Sequence, residues 1–81
     1  MITKKEIAHN TKVTRLSGFK PNYKYFYQNE FLQFSLKTAY NKLEVWNKNS
    51  EPGEYPGQYF DAPRNKKDFI DFVYWYLNNN Q

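Results

Sequence analysis

The sequence contains no cysteine among its 81 residues. A disulfide framework and a zinc site with thiolate ligands are therefore excluded, although so short a chain gains more than most from such cross-links. Histidine is almost as scarce, because His9 is the only one, so a zinc site built on several imidazoles is excluded as well. We expect no metal, no cofactor, and a core that is held together by packing alone.

Glycine and long apolar runs are also scarce. Gly53 and Gly57 lie next to prolines, and no Lys-Ser or Lys-Thr pair follows them, so no phosphate-binding loop is indicated. The longest apolar run, Phe72 to Leu77, is far shorter than the roughly 20 residues of a membrane helix. No apolar stretch follows the lysines after Met1, so no secretory signal is expected. These absences predict a cytoplasmic protein that does not enter a membrane.

Catalytic side-chain patterns are missing too. His9 has no cysteine partner and no serine and acid at a telling spacing, which favours a solvated surface histidine. Asp68 and Asp71 share one helix surface and are simply explained as a capping-turn acid and a solvent-facing residue. A chain of this length has little room for both a core and a substrate cleft. We predict a single domain, residues 1–81, that is not an enzyme.

Aromatic side chains and positive charge are what the sequence has in excess. Tyrosine, phenylalanine and tryptophan make up 21% of the chain, and the net charge is +4. A disordered chain has few aromatics, so a folded domain is expected.

Two helices are predicted, one at each end of the sequence. The first runs from Ile2 to Asn10, where Thr3 can cap the helix and Glu6 can complete a capping box. The second begins after Asn65, a good N-cap, and its apolar residues recur at helix spacing to form one packing face. That face consists of Phe69, Ile70, Phe72, Val73, Tyr76 and Leu77. A DNA-reading helix over residues 11–20 is the alternative after the first helix, although Gly18 and Pro21 would keep it short, and a short strand over residues 11–16 fits as well.

Three strands are predicted between the helices. The run 23–27 is rich in tyrosine, residues 32–37 alternate apolar with polar side chains, and residues 42–46 do the same. Leu32, Leu36, Tyr40 and Leu43 also have helix spacing, so a helix within residues 29–49 is the alternative. Residues 50–63 hold three of the four prolines and are predicted to be a loop that Tyr55, Tyr59 and Phe60 anchor. The predicted fold is α+β: a short N-terminal helix, a three-stranded antiparallel sheet, and a C-terminal helix packed on one sheet face.

The coincidence of charge and rings favours a nucleic-acid-binding protein, with DNA or RNA as the partner. Tyr23, Tyr25 and Tyr27 are expected to share one exposed side of their strand, with Trp46 also outward. Rings and lysines on a sheet face suit unpaired bases and their phosphates. The predicted interface consists of Lys24, Tyr25, Tyr27, Lys42, Trp46, Arg64, Lys66 and Lys67.

The helix starts supply part of that interface. Both begin with a cap, two lysines and an acid: Thr3-Lys4-Lys5-Glu6 and Asn65-Lys66-Lys67-Asp68. Cations at the positive end of a helix dipole are unfavourable, and a bound anion such as phosphate would reverse the sign. The alternative is that the acids offset the lysines and these side chains are solvated surface.

A protein partner is the alternative function. Tyrosine and tryptophan are favoured in interface hot spots, so a small adaptor or inhibitor, of the kind that mobile elements encode, is also consistent with this composition. Its interface would contain Tyr55, Tyr59, Tyr74 and Trp75. A homodimer through the same surface is a further alternative, and a purely structural role for the rings is another.

Overall fold

A computed structural model describes residues 2–14, 23–38, 41–50 and 57–79. Its elements in chain order are α1 (Lys4–Asn10), β1 (Lys12–Val13), β2 (Tyr23–Gln28), β3 (Leu32–Lys37), β4 (Lys42–Asn47), β5 (Gly57–Asp61) and α2 (Lys66–Asn79). The strands form one antiparallel sheet in the order β1-β2-β3-β4-β5. The α+β class with an N-terminal and a C-terminal helix is confirmed. The prediction of three strands is wrong, because the described residues form five.

The N-terminal helix α1 begins where the capping residues predict. The backbone N–H of Glu6 donates to the Thr3 hydroxyl at 3.2 Å, and that hydroxyl donates to the Glu6 carboxylate at 3.3 Å. The side chain therefore satisfies an amide that has no partner within the helix. Ile7 is fully buried and connects α1 to the core.

The central strands β2, β3 and β4 confirm the predicted strands to within one residue at their ends. The helical alternative for residues 29–49 is wrong. Asn29 forms the turn between β2 and β3, because its side-chain oxygen accepts the N–H groups of Phe31 and Leu32, each at 2.8 Å. Asparagine favours such turns since its side chain satisfies the backbone locally.

The outer strand β1 corresponds to an alternative that the sequence left open, and the outer strand β5 was not predicted. In β1, Lys12 and Val13 pair with Phe26 and Tyr25 of β2, so a second helix that starts at Thr11 is wrong and the short-strand alternative is correct there. The rest of that segment, residues 15–20, lies outside the described residues. The loop prediction is wrong for residues 57–61, because they pair with β4 along its length.

A β-bulge in β2 changes which rings face the core. Tyr23 pairs with Lys37 and Phe26 with Ser35, so three steps along β2 correspond to two along β3. Lys24 and Tyr25 together stand opposite Leu36, and the extra residue shifts the alternation of side chains by one. The prediction that Tyr25 and Tyr27 share an exposed side with Tyr23 is therefore wrong. Tyr25 and Tyr27 are buried, with 8% and 3% of their surface exposed.

The helix α2 packs across one face of the sheet as predicted. Asn65 caps it by accepting the backbone N–H of Asp68 at 2.9 Å. Phe69, Val73 and Leu77 are buried, and Ile70, Phe72 and Tyr76 are half-buried against the same core. The core between helices and sheet contains Ile7, Tyr25, Tyr27, Phe34, Leu36, Leu43, Val45, Phe69, Val73 and Leu77. The opposite face of the sheet is left without a described helix over it.

Candidate functional site

The side of the sheet opposite α2, which we call the open sheet face, carries polar and aromatic residues in three rows across the strands. The register of the strands defines these rows. The middle row is Lys12, Phe26, Ser35, Glu44 and Tyr59; one flanking row is Tyr23, Lys37, Lys42 and Asp61; the other is Gln28, Gln33, Trp46 and Gly57.

The rings of the open sheet face are partly exposed. Trp46 is 39% exposed and Tyr59 is 46% exposed, whereas Tyr23 and Phe26 are half-buried against each other with ring centroids 4.9 Å apart. Trp46 lies over Gly57, since a Cβ added to this glycine would stand 3.4 Å from the indole Cε3. The face therefore has partly exposed rings in each of its three rows, while Ser35 and Glu44 of the middle row are buried.

Lysines on the open sheet face are largely matched by acids. Lys37 lies 3.5 Å from Glu44, and Lys42 lies 3.3 Å from Asp61. Lys12 has its ammonium 5.9 Å from the centroid of the Phe26 ring. With three lysines and two carboxylates, the rows carry a formal net charge of only +1.

A second surface lies on the helix side of the sheet, between the starts of α1 and α2. There a cavity of about 520 Å³ has a lining that we call the lysine cleft: Lys4, Lys5, Ala8, Lys66, Lys67, Ile70 and Asp71. Four lysines and one aspartate give the lining a formal net charge of +3. The positive charge of the described chain is thus more concentrated here than on the open sheet face.

Asp71 joins the two helices within the lysine cleft. Its two carboxylate oxygens take separate lysines, Lys4 at 3.2 Å and Lys67 at 3.0 Å. The hydrogen bonds from Lys67 and Lys4 lower the pKa of the Asp71 carboxyl, and the same bond to Asp71 raises the pKa of Lys67. Among the described residues, Lys5 and Lys66 have no such partner.

The predicted nucleic-acid interface does not form one surface. Lys42 and Trp46 lie on the open sheet face, and Tyr25 and Tyr27 lie in the core. Lys66 and Lys67 line the lysine cleft, with Arg64 beside it, 2.9 Å from Asp68. Lys24 is exposed at the β-bulge, with its ammonium 5.6 Å from the centroid of the Tyr25 ring.

The residues predicted for a protein partner are also dispersed. Tyr59 lies on the open sheet face, whereas Trp75 is 49% exposed on α2, where it contacts Phe72. Tyr74 is half-buried, with the Lys4 ammonium 5.2 Å from its ring centroid. Tyr55 lies outside the described residues.

The predicted nucleic-acid interface lacked seven of the rings and lysines of the two surfaces: Lys4, Lys5, Lys12, Tyr23, Phe26, Lys37 and Tyr59. Phe26 and Lys12 reach the open sheet face through the bulge and through β1, neither of which has a clear sequence signal. Lys4 and Lys5 belong to the lysine cleft. The recurrence of a cap followed by two lysines did mark both helix starts, but nothing in the sequence indicates that the two starts adjoin.

Comparisons with protein-family models, with curated proteins and with solved structures found no match to this chain. Within the part of the chain that the structure describes, no helix is long and apolar enough to cross a bilayer. The same residues contain no group of three or more histidine, cysteine or acidic side chains placed to hold a metal ion.

Proposed function

We propose that this protein is a non-enzymatic binding protein that takes up single-stranded DNA or RNA on the open sheet face. The observation that carries the proposal is the grouping of Tyr23, Phe26, Trp46 and Tyr59 on one sheet face together with three lysines. Each stacked base contributes about 1–3 kcal/mol to binding, and stacking tolerates any sequence because every base has a π-face.

Unpaired bases suit this face better than a duplex. The rings of a sheet can stack only on bases that are free of their partners, and the bases of a duplex are already stacked on one another. Trp46 is the ring best placed to stack on a base. Among the described residues it is the largest exposed ring of this face, and it lies in β4, next to the edge strand β5.

The lysines set how strongly binding depends on salt. Lys37 and Lys42 are paired with acids, so only a few phosphates would be neutralised. For two phosphates on a single strand, the slope of log K against log salt concentration is about −1.4. Stacking should therefore supply most of the affinity on this face, and we expect a weak dependence on salt.

The chain's two tryptophans allow a direct test. A Trp75→Phe variant leaves Trp46 as the only indole, and a Trp46→Phe variant leaves Trp75 on the helix side. Titration with a short oligothymidylate or oligouridylate at about 50 mM salt should quench Trp46 emission and leave Trp75 emission unchanged. A duplex of the same length should quench neither one.

Replacing Trp46 by alanine measures how much its ring contributes to single-strand affinity. Trp46→Ala should weaken single-strand binding about 5- to 150-fold in fluorescence anisotropy, the range that one stacked base implies. Trp75→Ala is the matched control, since it removes a comparably exposed indole from the other side of the sheet. Failure of every single strand to bind at about 50 mM salt, or equal losses in the two variants, would contradict the proposal.

A protein partner is the second candidate, and the exposure of Trp75 favours it. Trp75 lies at the border of a ring cluster with Phe60, Phe72 and Tyr76, so a partner could bury a continuous apolar surface there. An affinity pull-down should retain one defined protein and lose it with Trp75→Ala, but not with Trp46→Ala. Sedimentation equilibrium would separate this case from a homodimer.

A further inference from the structure

The lysine cleft is assembled from parts that are distant in sequence. Lys4 and Lys5 open α1, Lys66 and Lys67 open α2, and the two pairs are brought to one cavity by the packing of the helices. The two pairs, at positions 4–5 and 66–67, are far apart along the chain, so only the tertiary structure brings them together. Bringing four like charges together is unfavourable unless an anion offsets them.

The chain supplies one such anion itself. Asp71 binds Lys4 and Lys67 through its two oxygens, as a bidentate ligand in the same place would. This leaves Lys5 and Lys66 without a carboxylate among the described residues, although both line the same cavity. Asp71 therefore offsets only part of the charge, and a formal charge of +3 is left over.

The cavity is an open cleft, and its volume is that of a ligand site. Its volume of about 520 Å³ falls within the range of roughly 300–1,000 Å³ that small-molecule sites occupy. Ala8 and Ile70 give it an apolar wall beside the ammonium groups. Flexible lysine side chains suit phosphate, which they bind as point charges.

We propose that the lysine cleft binds a linear phosphate chain, either the polyphosphate group of a nucleotide or a free oligophosphate. A ligand with a single negative charge would duplicate what Asp71 already does. Adjacent phosphates carry several charges on one short ligand, and they can reach ammonium groups from both helices at once. The site lies on the other side of the sheet from the open sheet face, so it does not depend on single-strand binding there.

The test is isothermal titration of the full chain with inorganic tripolyphosphate at low salt and neutral pH. Tripolyphosphate should bind at least about tenfold more tightly than orthophosphate, because charge-assisted contacts to several lysines add up. Adenosine triphosphate distinguishes the two sources. If adenosine triphosphate binds more tightly than tripolyphosphate, the natural ligand is a nucleotide. If the two bind equally, it is a free phosphate chain.

Paired variants locate the site. Lys5→Ala with Lys66→Ala should reduce tripolyphosphate affinity about tenfold or more, as the loss of two charge-assisted contacts implies. The matched control is Lys24→Ala with Lys48→Ala, which removes the same charge from exposed lysines outside the cleft. Equal losses in the two double variants would overturn the proposal, because they would reflect net charge alone.

A variant that binds more tightly than the wild type is a stronger test, because misfolding cannot explain a gain of affinity. Asp71→Asn frees Lys4 and Lys67 for the ligand and should tighten tripolyphosphate binding several-fold. Asp61→Asn makes the same change of charge on the open sheet face and should leave it unchanged. An Asp71→Asn protein that is folded by circular dichroism and binds no more tightly than Asp61→Asn would overturn the proposal. So would binding of a single-stranded oligonucleotide, but not of tripolyphosphate, that depends on Lys5 and Lys66.

Discussion

The two faces of the sheet contain similar rings in very different surroundings. On the face toward α2, Tyr25, Tyr27 and Phe34 are buried, with Phe34 in edge contact with Tyr76 at a centroid distance of 5.4 Å. On the open sheet face, Tyr23 and Trp46 keep part of their surface in solvent, and their cross-strand partners on β3 are Lys37 and Gln33. Ring chemistry is nearly the same in both places. The layer packed above the ring decides whether it is buried in the core or keeps part of its surface exposed.

Truncating one ring on each face tests most directly whether the surroundings of a ring decide its role. Phe34→Ala removes a fully buried ring and should cost about 3–5 kcal/mol of the free energy of unfolding, because a cavity remains among its neighbours. Trp46→Ala should cost about 1 kcal/mol or less, as partly exposed surface positions do. Chemical denaturation of both variants measures the difference.

A loss of this size can unfold a domain of 81 residues outright. The milder Phe34→Leu variant keeps the protein measurable, with an expected cost of about 1–3 kcal/mol. If Trp46→Ala destabilised the protein as much as Phe34→Ala, the open sheet face would belong to the core.

Deletions within β2 test whether the bulge assigns the rings to their faces. Deleting Lys24 removes the extra residue and leaves Tyr25 opposite Leu36 in a regular ladder, so we expect a loss of only about 1–2 kcal/mol. That loss reflects the contact with Thr14, whose N–H donates to the Lys24 carbonyl at 3.0 Å. Thermal unfolding followed by circular dichroism measures it.

Deleting Phe26 is the matched comparison. It takes either Tyr25 or Tyr27 out of the core, whichever way the strand pairs again, so the expected loss is about 3 kcal/mol or more. Equal effects of the two deletions would show that the bulge does not govern the alternation.

The smallest expected effect concerns Tyr27, on the face toward α2, and the pH dependence of the free energy of unfolding. Burial first, and then the nearby Glu6 carboxylate, raise the pKa of Tyr27 above its ordinary value of 10.0. A pKa that is higher in the folded state means stability that is complete below about pH 10 and is lost as the pH rises through the folded value. Tyr27→Phe should therefore match the wild type near pH 8 and lose less stability toward pH 11. Denaturation at several pH values checks this, and parallel curves for the two proteins would show that the pKa of Tyr27 is not raised in the folded state.

The central strands and both helices could be predicted because their signals are local. Thr3 and Asn65 cap their helices through bonds that span three residues, and residues 32–37 alternate as a half-buried strand must. The strand β1 has two residues, and β5 starts in a segment rich in proline and glycine, so neither has a pattern of its own. Each depends on hydrogen bonds to a neighbouring strand that is far away in sequence.

The candidate surfaces were only half predictable for the same reason. Trp46 and Lys42 were assigned to the outward side of a regular strand, and they lie there. Tyr25 and Tyr27 were assigned to the exposed side because strict alternation was assumed, and a bulge cannot be read from a run of tyrosines.

Spacings of a few residues were enough to predict the α+β class, the helix caps, the apolar face of α2 and the two lysine pairs. The tertiary structure alone decided which rings are buried and that Lys4 and Lys5 meet Lys66 and Lys67 in one cleft. Burial and charge density depend on contacts between elements that are remote in sequence, and those contacts exist only once the helices pack on the sheet.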